Sequence, residues 1–363
     1  MSVSSMNQGF LIVFGDSYSS VGNRENVPSF YADWFTRYSN GPVWDEYVAF
    51  NDDYTLINFA TGGALTNNSY IGSQTGVYLP YNDLVDQVAI YEDAFSGKYL
   101  QSSLQNDVVV IQIGSNDIFS GYEKILDGSI NQEIYFNNTI STINSQLESL
   151  MEFGYKNFVL FDVSYFPILP ALTFYDQDII DALDNYTKSL NDKLEVARAS
   201  LEAQYSNKIN YIRSVSLYDI FKTLNTVDLK QLLNITAVYN PKLPILTNVT
   251  YVTQNDSDDY LFSGIFNPTT RVHALIASIF SETIKTGSVS INKDVLEKLV
   301  CDYDLIQINS YNNPLYTSNS SKTGIINVKE YTVESTLQNV GRLAAIKNSQ
   351  VYKCRNTTNS RSS

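Results

Sequence analysis

The sequence predicts a doubly wound α/β sandwich on a five-stranded parallel sheet, followed by a C-terminal extension. Three observations carry this expectation. Five short apolar runs, FLIVFG (10–15), TLINFA (55–60), VVVIQIG (108–114), NFVLFDV (157–163) and INYIRSV (209–215), are nearly continuous rather than alternating, as in strands covered on both faces. Helix-like stretches at 28–38, 81–96, 132–153 and 176–206 separate them, the order that single crossovers between parallel strands require. Two further helix patterns, at 217–224 and 269–286, follow the fifth run before the composition turns loop-rich.

Residues 9–287 therefore read as one α/β domain, and 288–363 as an extension or small subdomain. In the extension NSYNNPLYTSNSSKTG is rich in turn formers, and the only long helical pattern is ESTLQNVGRLAAI (334–346). The 363 residues carry 24 Lys and Arg against 38 Asp and Glu, a formal charge of −14, which disfavours nucleic acid and anionic membrane surfaces as partners. The 27 Tyr and 18 Phe fit either core packing or the lining of a sugar- or acyl-binding groove. Cys301 and Cys354 are the two cysteines, paired or free. With no Cys/His cluster, neither a metal nor another cofactor is expected. No apolar run is long enough to span a membrane, and MSVSSMNQGF has no secretory character. Eight N-x-S/T sequons occur, a weak sign of secretion in a chain this rich in Asn, Ser and Thr. Compartment and oligomeric state stay open.

Ligands of such sheets bind beyond the carboxyl ends of the strands. The first run ends in Gly15-Asp16-Ser17, where a glycine permits a sharp turn that would present the Ser17 hydroxyl. The second leads into NFATGGALT, whose Gly62 and Gly63 would let backbone N–H groups approach an oxyanion. The third leads into IGSNDIF, where Asn116 offers an amide donor to the same oxygen. Singly, each also fits ordinary turn chemistry; their occurrence in order, each directly after an expected strand, favours a site.

FGDSYSSVGN, NFATGGA and IGSND together resemble the first three motif blocks of GDSL esterases and lipases, the SGNH hydrolases, over about residues 9–285. SNGPVWDEYVA (39–49) is similar to a stretch typical of the fungal branch grouped with carbohydrate acetylesterases. The resemblance implies a flavodoxin-like sandwich, Ser17 as nucleophile, and Gly63 and Asn116 joining the Ser17 N–H in an oxyanion hole. It also implies a small acylated or carbohydrate ligand, and allows secretion if a leader has been removed.

The fourth block departs. The family pattern runs roughly Y-L-F-W-D-x-x-H-P-T-T-x-x-H, with its first His as general base and the Asp as that base's orienter. Laid on YLFSGIFNPTTRVH, the Asp position is Gly264 and the base position is Asn267, while Pro268, Thr269 and Thr270 still match. An amide has no basic nitrogen at neutral pH. His273, the lone histidine, falls on the pattern's second His, about 9 Å further along a helix axis, whereas a general base must lie within about 3.2 Å or one water of its proton. Asp256, Asp258 and Asp259 read as a solvated loop. The sequence thus suggests an ester-hydrolase homologue that has lost most catalysis. Two alternatives stand beside it: an active esterase on acylated carbohydrate or small esters with a recruited base such as His273, and a non-catalytic binding protein.

Overall fold

The computed structural model describes residues 9–23, 34–96, 104–239, 254–318, 320–328 and 330–331. The five expected strands form, as β1 (Phe10–Gly15), β2 (Thr55–Asn58), β3 (Val108–Gln112), β4 (Asn157–Phe161) and β5 (Tyr211–Val215). Every pairing is parallel, and the order is β5-β4-β3-β1-β2, with β6 (Glu330–Tyr331) beyond β2. All residues of β1, β3 and β4 are buried, which explains their unbroken apolar runs. From β1 the chain winds first to one side and then to the other, so a topological switch lies at its carboxyl end, between β2 and β3.

Helices cover both faces. One group holds α1 (Trp44–Asn51), α9 (Thr270–Thr286) and α10 (Lys293–Asp302); the other holds α3 (Leu84–Phe95), α5 (Gln132–Phe153) and α6 (Gln177–Gln204). Short helices α2 (Asn68–Thr75), α4 (Ser115–Leu126), α7 (Leu217–Leu224), α8 (Leu229–Leu233) and α11 (Ser320–Thr323) complete the set. Much of the tyrosine content serves the core: Tyr47, Tyr91, Tyr135 and Tyr155 are among the largest fully buried side chains. Their hydroxyls are bonded, as burial demands: Tyr135 donates to the Asp117 carbonyl (2.8 Å), and Tyr91 and Tyr155 bond each other.

Helix α1 was not apparent from periodicity, because its buried face carries charge. Asp45 and Glu46 are both buried. Glu46 forms a bidentate ion pair with fully buried Arg37 and accepts the Val43 N–H at the helix start (3.0 Å), while Asp45 takes the Asn58 amide. Within the expected 28–38 helix, residues 34–38 instead make a turn with Phe35 and Thr36 at φ 43° and 70°, incompatible with an α-helix; 28–33 lie outside the described residues.

The extension joins the main core rather than standing apart. Leu296, Leu299, Val300, Leu305, Ile308, Leu315, Ile326 and Val328 belong to the same apolar cluster as the sheet. β6 (Glu330–Tyr331) adds a sixth parallel strand beside β2, so the sheet exceeds the five strands expected. Helix α10, capped by Asn292 accepting the Val295 N–H (3.0 Å), lies where no long helix was expected; the 334–346 pattern lies outside the described residues. Asp258, expected in a solvated loop, is half-buried and ties the two parts together by accepting from the Asn40 amide and the Ser310 N–H (both 2.8 Å). Cys301 is exposed on α10, and Cys354 lies outside the described residues.

Candidate active site

The turn after β1 is held from three sides. A Cβ on Gly15 would lie 2.2 Å from the Gln112 carbonyl oxygen, so only glycine lets β1 and β3 close up here. Gln87 of α3 clamps the same residue, accepting from its N–H (2.8 Å) and donating to its carbonyl (3.0 Å). On the far side, Ser19 donates to Gln112 Oε1 (2.8 Å), receives the Trp44 indole N–H (3.0 Å), and its carbonyl takes the Asn58 amide (2.7 Å). Between these anchors Ser17 is the one residue of 10–21 that is not buried.

The segment after β2 approaches the same point. Gly63 sits at φ 85°, a left-handed geometry suited to glycine, and is the one residue of 61–66 that is not buried. A Cβ on Gly62 would collide with the Tyr38 hydroxyl at 2.1 Å and its ring at 2.3 Å, so the backbone lies tight against Tyr38. From the start of α4, the Asn116 amide donates to the Ala64 carbonyl (2.9 Å), which orients the group and leaves its second N–H for a ligand. Asp117 locks the two segments together by accepting the Thr66 N–H (3.1 Å) and hydroxyl.

Ser17, Gly63, Asn116 and Asn267 line one cavity of about 590 Å³ at the switch point. Its wall is mostly aromatic and aliphatic, including Tyr18, Tyr38, Phe119, Phe166 and Phe266, with Phe119 stacked on Phe166 at 4.5 Å. Asp16 is buried beside Ser17, its Oδ1 accepting the Tyr18 N–H (3.1 Å), and desolvation lifts its carboxyl to about 6. Asp117 is lifted by the same cause to about 7.

Asn267 stands in a tight turn whose Ser263 and Gly264 N–H groups both donate to its carbonyl (3.0 and 3.5 Å). Its side-chain oxygen is buried with no hydrogen-bond partner among the described residues. Gly264 is half-buried, and a Cβ there would meet nothing within 4 Å. His273 is absent from the cavity wall. It lies in the first turn of α9, fully buried, with its ring edge-on to Tyr18 (6.4 Å between centroids) and both nitrogens without partners among the described residues. Burial alone pushes its pKa down to about 3, so the imidazole is neutral at physiological pH.

The cavity thus brings together Ser17, Gly63, Asn116 and the Asn267 position, as their motif spacing suggests, while Gly264 is placed on the same turn as Asn267. Gln87, Gln112 and Asn58, which brace the Ser17 turn, were not singled out in the sequence. Gln112 and Asn58 close strands at the C-terminal edge, where a polar residue in an apolar run is the one available signal; Gln87 left none.

A parallel sheet carries a half-buried serine on the turn after its first strand, and two donor-bearing segments converge on the same cavity. The family model for GDSL-like lipase/acylhydrolase matches residues 11–280, and the chain belongs to that family. It is similar to a thermolabile hemolysin of Vibrio parahaemolyticus, 24% identical over 75% of this chain and 63% of that one. It is also similar to an acetylesterase of Thermothelomyces thermophilus, 28% identical over 51% of this chain and 65% of that one. A GDSL esterase/lipase of Arabidopsis thaliana is 22% identical over 74% and 89%. The chain spans under two thirds of the length of the first two relatives.

Proposed function

We propose that this chain is an ester-hydrolase homologue that keeps an acyl-ligand crevice around Ser17 but turns esters over very slowly, because its proton-accepting pair is replaced by Gly264 and Asn267. One observation carries the proposal: the side chain that shares the cavity with Ser17, at the position where the family pattern has its base, is an amide. Hydrolysis of an ester by Ser17 would need its Oγ–H proton accepted as Oγ bonds to the acyl carbon, then returned to the departing alkoxide. The Ser17 and Gly63 N–H groups and the free N–H of Asn116 would receive the negative charge on the acyl oxygen. With the acceptor gone, about 10³–10⁴-fold acceleration over water is the usual remainder.

Recruitment of His273 is disfavoured by its enclosure behind Tyr18 and by its depressed basicity. Asp16, raised to about 6 by burial, lines the same cavity and accepts the Tyr18 N–H through Oδ1. Its Oδ2 has no partner among the described residues, so Asp16→Asn is measured beside Ser17→Ala, with an unchanged rate expected. The test compares wild type with Ser17→Ala on p-nitrophenyl acetate. Rates equal within about threefold are expected, the scale of small ground-state effects. A wild-type rate about a hundredfold above Ser17→Ala would overturn the proposal, since an effect that size needs a working base.

A further inference from the structure

We propose that segments 76–82 and 163–175, which bracket the mouth of the Ser17 cavity, form a docking face for aggregates of zwitterionic amphiphile. Ten large hydrophobic side chains are exposed among the described residues, and four of them fall on these two short segments: Val77 (38%), Tyr78 (67%), Phe174 (61%) and Tyr175 (37%). Val77 and Tyr175 also line the cavity, so the apolar rim runs continuously into it. Scattered exposed apolar residues are ordinary, but a cluster around a cavity mouth marks an interaction surface.

The rim is built, not frayed. A Cβ on Gly72 of α2 would lie 2.4 Å from the Tyr78 ring, so the ring packs against the helix at this glycine while the residue stays 67% exposed. The second segment is fixed by the Ala171 N–H donating to the Ile265 carbonyl (3.0 Å) and the Thr173 hydroxyl donating to the Pro170 carbonyl (2.6 Å). Tyr175 meets the Tyr122 ring of α4 edge-on at 6.3 Å, which ties the second segment to that helix. Aromatic rings held outward in this way suit the boundary between headgroups and acyl chains, where one end is apolar and the other wet.

Charge selects the kind of surface. GVYLPYN (76–82) and VSYFPILPALTFY (163–175) contain no Asp, Glu, Lys or Arg, in a chain of net charge −14. Exposed Glu123 and Asp176 flank the rim and outweigh the one cation at its edge, Lys124, whose ammonium donates to the Gln74 carbonyl (3.2 Å). Anionic lipid is therefore repelled, and a surface without net charge is accepted. Docking does not depend on turnover; only the entry of single amphiphile molecules into the cavity rests on the acyl-ligand reading given above.

The test is co-sedimentation of the full chain with phosphatidylcholine vesicles, with phosphatidylcholine–phosphatidylserine vesicles, and with insoluble cellulose. Wild type is expected to bind the first and to bind the second more weakly. Tyr78→Ser with Phe174→Ser should weaken binding to phosphatidylcholine by about tenfold or more, since affinity scales with buried apolar area. Neither residue lines the cavity and both are exposed, so the melting temperature should not move. Gly72→Ala, which lifts the Tyr78 ring off α2, should give a partial loss. Equal binding by wild type and the double variant, no binding by wild type, or retention on cellulose in place of vesicles would each overturn the proposal. None of these results bears on the Ser17→Ala comparison, so the two proposals fail separately.

Discussion

Gly264→Asp combined with Asn267→His is expected to raise p-nitrophenyl acetate hydrolysis by about tenfold or more over wild type, because a positioned general base commonly contributes about 10²–10⁴-fold. The structure has room for the first change and places the second on the cavity wall. Nothing lies within 4 Å of a Cβ at Gly264, so a carboxylate can enter without displacing a neighbour. Asn267 already faces the cavity that holds Ser17, with a bare side-chain oxygen, and the Ser263 and Gly264 N–H bonds to its carbonyl keep the two positions on one turn. The gain should stop short of a full triad's, because Ser263 stands where the family pattern has Trp and leaves an imidazole less tightly packed. Asn267→His alone should recover part of the effect, since the orienting carboxylate would be missing. A folded double variant with no gain would mean that the crevice has lost more than its base.

His273→Leu is expected to stabilise the protein, and increasingly so as pH falls. At pH 7 the imidazole is neutral, and its two buried nitrogens lack partners among the described residues, a penalty of about 1–3 kcal/mol for such a group that leucine removes. The pH dependence follows from linkage. The folded-state pKa of about 3 lies below the ordinary histidine value, so between that value and 3 the unfolded chain binds a proton that the folded chain refuses. Stability of the wild type from this group therefore falls as pH drops, and the variant escapes the loss. At pH 5 the advantage of the variant should have grown by about 2 kcal/mol relative to pH 7. Asp16, Asp117 and Asp162, raised to about 6, 7 and 7 by burial, work in the opposite direction, but both proteins carry them and they cancel in the difference. Urea titrations at the two pH values measure it. A variant less stable than wild type at both, with no pH-dependent gap, would show that the imidazole has a partner and a role.

The sheet was legible because parallel strands buried on both faces leave short, nearly continuous apolar runs rich in β-branched residues, and all five expected strands formed within a few residues of their bounds. The converging segments were legible because glycine and asparagine suit places where backbone must approach a ligand: Gly15 ends β1, and Gly63 and Asn116 follow β2 and β3. Helix α1 was hidden by the charges it buries, since Asp45 and Glu46 mark a solvent face unless one knows that Asn58 and Arg37 wait for them. The sixth strand is two residues long and pairs with β2 from more than 270 positions away, beyond what any local pattern encodes. The environment of His273 was equally out of reach: spacing put it one helical turn and more past Asn267, but its seat behind Tyr18 depends on packing between α9 and the β1 turn.

The account rests on Ser17 being an unactivated alcohol. The most direct measurement is mass-spectrometric detection of a fluorophosphonate adduct on Ser17, since these reagents phosphonylate a serine only when its proton is being withdrawn. Incubation of the unmodified protein for hours is expected to leave Ser17 bare, while the Gly264→Asp, Asn267→His variant acquires the adduct. Stoichiometric modification of wild-type Ser17 within minutes would contradict the account.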